Sequence, residues 1–138
     1  MTTTSYRVLV LTDHSKHSKE NSIYALLRGM LDTDRCQSVD VASRALVENE
    51  GFFYQKDKDA LQAVPVSKNF AFDPSGRVFQ QGLRLVNVAD FDVVFLRLPR
   101  PVSDDFLEWL TQIFPTQVFI NHPNGILATS TKAFLLQF

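Results

Sequence analysis

The chain has 138 residues, a length typical of one domain with its own core. Hydrophobic residues make up 45% of it and twelve residues are phenylalanine, which predicts a well-filled globular interior. The formal charge of −1 gives no electrostatic basis for nucleic-acid binding. Cys36 is the single cysteine, which excludes a disulfide scaffold, and no apolar stretch approaches the roughly 20 residues of a membrane span. With no signal-peptide pattern at the start, we expect a soluble, cytoplasmic protein.

The first strong pattern is a buried strand followed by a polar loop and a helix. Tyr6–Thr12 is a continuous apolar run typical of a parallel strand, and polar residues 13–15 follow it. Ser18 can cap a helix whose apolar positions keep the 3.6-residue period. These positions are Ile23, Leu26, Leu27, Met30 and Leu31. Residues 37–42 alternate as a weaker strand, and pairing beside the first strand would complete a right-handed βαβ unit.

The pattern weakens between residues 43 and 88. Residues 43–49 favour one or two turns of helix, and residues 51–66 show no clean period. Residues 70–80 are typical of two short strands joined by the turn Asp-Pro-Ser-Gly at 73–76. We therefore expect a small antiparallel excursion at the edge of the sheet.

The clearest strand lies in the sequence ADFDVVFLRLPRP, residues 89–101. Its short apolar core predicts a central parallel strand that is covered on both faces. The core stops at Arg97, and a central strand has little use for an arginine inside the sheet. Arg97 should therefore lie at the carboxyl edge of the sheet, where open α/β folds bind their ligands.

The remaining elements complete an α/β pattern. The Ser-Asp-Asp run from Ser103 predicts the start of a helix, which Pro115 ends. Residues 117–121 predict a fourth strand, and a last helix is expected from Thr129 or Ser130 onward. Strands that alternate with helices predict a three-layer, Rossmann-like open sheet, mostly parallel. Among the four main strands the expected order is 2-1-3-4, with the small antiparallel excursion beside them.

This strand order has a consequence for the polar residues at the edge. The winding would reverse between the first and third strands, so that Asp13 and Arg97 face each other across the crevice. A guanidinium group there suits a carboxylate or a phosphate, which it can hold with two parallel hydrogen bonds. The alternative is an Asp13–Arg97 ion pair that only closes the edge of the sheet.

Familiar catalytic and nucleotide motifs are missing from the sequence. There is no G-x-G-x-x-G motif, no Walker loop and no G-x-S-x-G motif. His14 and His17 are three residues apart, but a metal site would need helical geometry there, and we interpret both as solvated histidines. Cys36 is expected to be a half-buried small hydrophobe. No catalytic residue and no metal site are predicted.

Four motifs occur in an order that is found in one family. They are FDVVFLRLPRP, SDDFLEWL, VFINHP and TSTKAFLLQF. The chain resembles the amino-terminal, pre-ATP-grasp domain of bacterial glutathione synthetase or a related ATP-grasp ligase. The positions that match in order and spacing are Arg97, Pro101, Asn121, Pro123 and Lys132. Two departures affect the substrate: Leu-Pro-Arg-Pro stands at 98–101 where the family has Lys-Asp-Pro-Pro, and Ser-Thr-Lys stands at 130–132 in place of Asn-Glu-Lys.

The resemblance implies that residues 1–138 are a single substrate-binding domain of an ATP-dependent carboxylate–amine ligase. Arg97 would hold the carboxylate of a small peptide or amino acid, and Asp13 and Asn121 would line the same crevice. Lys132 would approach the phosphates of ATP. ATP and Mg²⁺ are implied for the full-length enzyme, whose ATP-grasp domain is absent from this chain. The chain alone should therefore hold no cofactor and catalyse no ligation.

Two other functions are weighed against this one. A stand-alone, non-enzymatic binding or interaction module of the same fold fits the same sequence. A receiver-like domain is disfavoured, because it needs an aspartate where Arg97 ends the third strand. The apolar ending LLQF predicts that a further domain or a partner covers it, and a homo-oligomer is a further expectation. No nucleic-acid partner and no membrane partner are expected.

Overall fold

The computed structural model describes residues 5–19, 23–33, 36–99 and 102–120. Within these residues the strands are β1 (Tyr6–Thr12), β2 (Cys36–Ser43), β3 (Gln62–Pro65), β4 (Arg84–Leu85), β5 (Val93–Arg97) and β6 (Val118–Ile120). The α-helices are α1 (Ile23–Leu31), α2 (Glu50–Gln55) and α3 (Asp104–Ile113). None of the helices in the described ranges is long and apolar enough to cross a bilayer. The predicted helix from Thr129 lies outside these ranges.

The strands form one sheet in the order β4-β3-β2-β1-β5-β6. Four neighbouring strands, β2, β1, β5 and β6, run parallel to one another. The strand β3 pairs antiparallel with both β2 and β4. The central strand β1 buries Leu9, Val10 and Leu11 completely. Neighbouring strands cover both of its edges and helices cover both faces, which explains its unbroken apolar sequence.

The α/β class and the mostly parallel open sheet are confirmed. The order of the strands differs from the predicted 2-1-3-4, because two antiparallel strands extend the sheet beyond β2. If only the parallel strands are numbered, their order across the sheet is second, first, third and fourth. The observed order therefore differs from the predicted one only in the two strands, β3 and β4, that lie beyond β2.

The antiparallel excursion exists, but its predicted position was wrong. Its strands are β3 and β4, whereas residues 70–80 form no strand. The turn in this segment is present, since the Gly76 amide donates to the carbonyl oxygen of Asp73 at 2.9 Å. Phe70 and Phe79 both insert into the core, at 5% and 1% exposure. Because both rings are buried, residues 70–80 pack over one face of the sheet and do not pair with its strands.

The helices cover opposite faces of the sheet. On the face that we call the α1 side, α1 packs Ile23, Tyr24 and Leu27 against the strands, together with Phe70 and Phe79. On the opposite face, the α3 side, α2 and α3 bury a second core. Its helical members are Phe52, Phe53, Phe106, Leu107 and Leu110.

The positions of these helices locate the crevice of the fold. The chain leaves β1 on the α1 side to reach β2, and it leaves β5 on the α3 side to reach β6. The winding therefore reverses between β1 and β5, as predicted from the sequence. Parallel α/β sheets open a crevice outside the carboxyl ends of the strands at such a point.

Candidate functional site at the carboxyl edge of the sheet

Polar residues of three neighbouring strands meet at the carboxyl edge. Thr12 lies level with Ser43 on one side and with Arg97 on the other. Asp13 and Arg44 follow directly after β1 and β2. The edge thus carries a carboxylate, two guanidinium groups and two hydroxyl groups within two residues of the strand ends.

Asp13 is buried, at 6% exposure, and its carboxylate is fully engaged by neighbours. Arg44 Nε donates to Oδ2 at 2.9 Å, while the backbone amide and the hydroxyl of Ser15 both donate to Oδ1. Burial raises the pKa of Asp13, but the hydrogen bonds from Ser15 and Arg44 and the charge of Arg44 outweigh burial and hold the pKa below its usual value. Asp13 is therefore an ionised, internally paired carboxylate.

Arg44 joins the ends of all three strands. Its backbone amide donates to the carbonyl oxygen of Thr12 at 2.7 Å, and its Nη2 donates to the carbonyl oxygen of Pro99 at 3.2 Å. Together with the bond to Asp13, these contacts fix the chain after β1 and the chain after β5 to the end of β2. The sequence analysis missed Arg44, because the strand was predicted to end at residue 42, whereas β2 continues to Ser43 and Arg44 directly follows it.

The expected meeting of Asp13 and Arg97 across the crevice is wrong, since Asp13 pairs with Arg44. The register explains the outcome, because Thr12 and not Asp13 lies level with Arg97. Successive side chains of extended chain point to opposite faces, and Asp13 is still extended, with φ −140° and ψ 101°. Asp13 therefore follows Leu11 to the α3 side. Arg97 follows Phe95 to the α1 side.

On the α1 side, hydrogen bonds run in one direction from Tyr24 to Arg97. The Thr12 hydroxyl donates its only proton to the carbonyl oxygen of Arg97 at 3.1 Å, so the contact between Thr12 Oγ1 and His17 Nε2, at 3.0 Å, has His17 as its donor. In neutral His17 the other nitrogen, Nδ1, then accepts from the Tyr24 hydroxyl at 2.9 Å. This chain of four residues fixes the tautomer of His17.

The protonation states of this chain follow from its surroundings. Burial, the charge of His14 and the charge of Arg97 lower the pKa of His17, and the opposing effect of Asp13 does not cancel them. Burial, together with the charge of Asp73, raises the pKa of Tyr24 to about 12. At neutral pH the imidazole is uncharged and the phenol keeps its proton.

His14 is held on the same side of the sheet by Ser43. The Ser43 oxygen accepts from the backbone amides of His14 and Ala45, so its own proton goes to His14 Nδ1. The imidazole stacks on Phe79 with 4.9 Å between ring centroids. Burial lowers the pKa of His14. The interpretation of His14 and His17 as solvated residues was therefore wrong, because aromatic neighbours far along the chain cover both rings.

A cavity of about 520 Å³ opens on the α3 side of the edge. Asp13 and Arg44 contribute to its base. The remaining lining residues are Ser15, Phe53, Tyr54, Leu98, Val102, Ser103 and Phe106. We call this the α3-side cavity. The alternation of side chains along β5 assigns Arg97 to the opposite face.

Other predicted residues have simpler outcomes. Asn121 and Lys132 lie outside the described residues. Cys36 is half-buried as expected, and burial raises the pKa of its thiol. Within residues 5–19, 23–33, 36–99 and 102–120, no three His, Cys, Asp or Glu side chains gather as metal ligands would.

Comparison with known proteins adds no family to these observations. No protein-family model matches the chain, and a search of curated proteins finds no significant match. What the chain does is therefore inferred from its own residues and their geometry.

Proposed function

We propose that the chain is the substrate-binding domain of an ATP-dependent carboxylate–amine ligase that resembles glutathione synthetase. In this proposal Arg97 holds the carboxylate of a small peptide or amino acid. The observation that supports it is the position of Arg97 at the carboxyl end of β5, beside the point where the winding of the sheet reverses. A guanidinium group can bind a carboxylate there with two parallel hydrogen bonds.

Asp13 does not take the role proposed for a substrate carboxylate. Its own carboxylate accepts from Arg44 and from Ser15.

The other predicted residues keep the roles that the family resemblance implies. Asp13 and Asn121 line the crevice, and Lys132 contacts ATP phosphates in the proposed enzyme. ATP and Mg²⁺ belong to an ATP-grasp domain outside this chain.

A second candidate is a stand-alone binding module of the same fold. The observation that favours it is the α3-side cavity, which the described residues form without a second domain. The reading frame beyond Phe138 separates the two candidates. A continuation with a glycine-rich loop and Glu and Asn metal ligands supports the ligase, whereas a stop codon supports the module.

The carboxylate site is tested with N-acetylglycine and its uncharged analogue N-acetylglycinamide. We expect amide chemical shifts around Arg97 to respond to the acid and not to the amide. Arg97→Ala should weaken binding of the acid at least about tenfold, the equivalent of about 1.4 kcal/mol. Lys68→Ala removes the same charge from an exposed turn and should leave binding unchanged. Absence of a response near Arg97 at high concentrations of the acid would rule out the site.

A further inference from the structure

The second cavity of the edge has a chemistry of its own. We propose that the α3-side cavity is a binding site for an uncharged aromatic amide, a planar ring that carries a neighbouring C=O and N–H. The cavity lies on the opposite face of the sheet from Arg97. This proposal can therefore be tested independently of the proposed carboxylate site.

The walls of the cavity suit an aromatic ring. Phe53 and Phe106 present buried rings, at 5% and 4% exposure, and half-buried Leu98 and Val102 add aliphatic surface. Tyr54 stands at the mouth with 66% of its surface exposed. The volume of about 520 Å³ falls within the range of small-molecule pockets, which is about 300–1,000 Å³. Aromatic walls favour offset or edge-to-face contact with a bound ring.

The base of the cavity disfavours a charged ligand. The Asp13 carboxylate accepts from Arg44 Nε and twice from Ser15, and Arg44 also donates to Pro99. An ammonium or amidinium group entering here finds a carboxylate that is already neutralised by its own partners. A carboxylate group entering here meets Asp13 itself, and the neighbouring cation, Arg44, is already paired with Asp13. Either ion loses hydration without gaining a counter-ion, which is costly in a partly buried site.

Two serines at the cavity supply the complement of an amide. Ser103 Oγ accepts from the Phe106 amide as the cap of α3, so its hydroxyl proton can be donated to a ligand carbonyl. Ser15 gives its proton to Asp13, so its oxygen can accept from a ligand N–H. One donor and one acceptor on the same cavity match one C=O and one N–H.

Three probes of the same size and shape but different charge test this inference. They are benzamide, benzoate and benzamidinium, titrated against the whole chain while backbone amide shifts are followed. We expect benzamide to shift the amides of Phe53, Leu98 and Val102 with an affinity of about 1 mM, a value usual for so small a ligand. Benzoate and benzamidinium should bind the cavity at least about tenfold more weakly. Equal responses to all three probes, or no response to benzamide, would overturn the assignment.

A cavity-filling variant and a matched control place the binding. Val102→Trp puts an indole into the cavity and should abolish the benzamide response, while Val118→Trp adds the same group to an exposed position of β6 and should preserve it. Leu98→Phe provides a smaller filling change if the tryptophan variant fails to fold. A benzamide response that survives in the folded filling variant contradicts the proposal. Any benzoate response at Arg97 is read separately, because it reports on the carboxylate site alone.

Discussion

Gly76, in the segment that folds over the α1 side, lies directly against the imidazole of His14. Its φ is +70°, and a Cβ built there would lie 2.5 Å from Cδ2 and Nε2 of His14. His14 cannot retreat easily, because it is bonded to Ser43 and stacked on Phe79. Position 76 therefore requires glycine both for its backbone conformation and for the space beside the imidazole.

Replacing Gly76 should be costly for both reasons. We expect Gly76→Ala to lower the free energy of unfolding by about 2–5 kcal/mol, the sum of a left-handed backbone and an overpacked contact. Gly82→Ala is the matched control, since its φ is +80° but its nearest neighbour, Pro65 Cδ, is 3.8 Å away. It should cost only the backbone term, about 1–2 kcal/mol. Equal losses in urea denaturation would show that the His14 contact contributes nothing.

For single residues, the sequence predicted the positions of side chains in the fold better than it predicted their bonding partners. Arg97 and Asp13 were placed at the ends of their strands because apolar runs are local features of the chain. The partner of Asp13 was not predictable, since it depends on the registers of β1 with β2 and with β5. A shift of one residue changes the face on which a side chain lies, and it is Thr12 that lies level with Arg97.

Among the elements, those with their own start and stop signals were predicted best. Ser103 caps α3 by accepting from the Phe106 amide at 3.1 Å, as its sequence indicated, and the helix ends before Pro115. In residues 70–80 the signalled turn at 73–76 forms, but the two strands predicted on either side of it do not. Their aromatic residues are buried by contacts with α1 and β2, which no local pattern records. The segment between β2 and β5 was therefore the part of the fold least accessible to sequence reasoning.

The Asp13–Arg44 pair links the ends of β1 and β2 through two largely buried side chains. Arg44→Gln leaves the buried carboxylate without its cation and should cost about 3–5 kcal/mol in urea denaturation. Asp13→Asn combined with Arg44→Gln removes both charges and should recover much of that loss. Lys58→Gln disrupts an exposed pair with Asp59 and should change stability by less than about 0.5 kcal/mol. Additive losses at Asp13 and Arg44 would contradict the proposed coupling.

For the whole molecule, the two packed histidines make stability depend on pH. The pKa values of His14 and His17 lie below the usual 6.5 because burial disfavours their charged forms. As pH falls through 6.5, the unfolded chain therefore takes up protons before the folded chain does, and the fold loses stability. The pKa of Asp13 is also lowered, so its contribution is present above 3.8 and is lost only in stronger acid.

This dependence can be measured by thermal unfolding between about pH 7.5 and pH 5 at constant ionic strength. We expect the melting temperature to fall with pH in the native chain. In His17→Gln the amide can still donate to Thr12 and accept from Tyr24 but cannot titrate, so the fall should be smaller. An unchanged slope in the variant would show that His17 does not contribute to it.

The edge strand β4 affects the tendency of the molecule to aggregate at high concentration. An edge strand exposes unpaired amide and carbonyl groups, on which another chain can add a strand and begin aggregation. Here that edge is two residues long, and Arg84 occupies it with its guanidinium bound to Asp40 at 2.7 Å. Leu85 is exposed. The edge is nevertheless too short and too charged to pair well with a strand from another molecule. Fibre growth from this edge is thereby discouraged by the strand that ends the sheet.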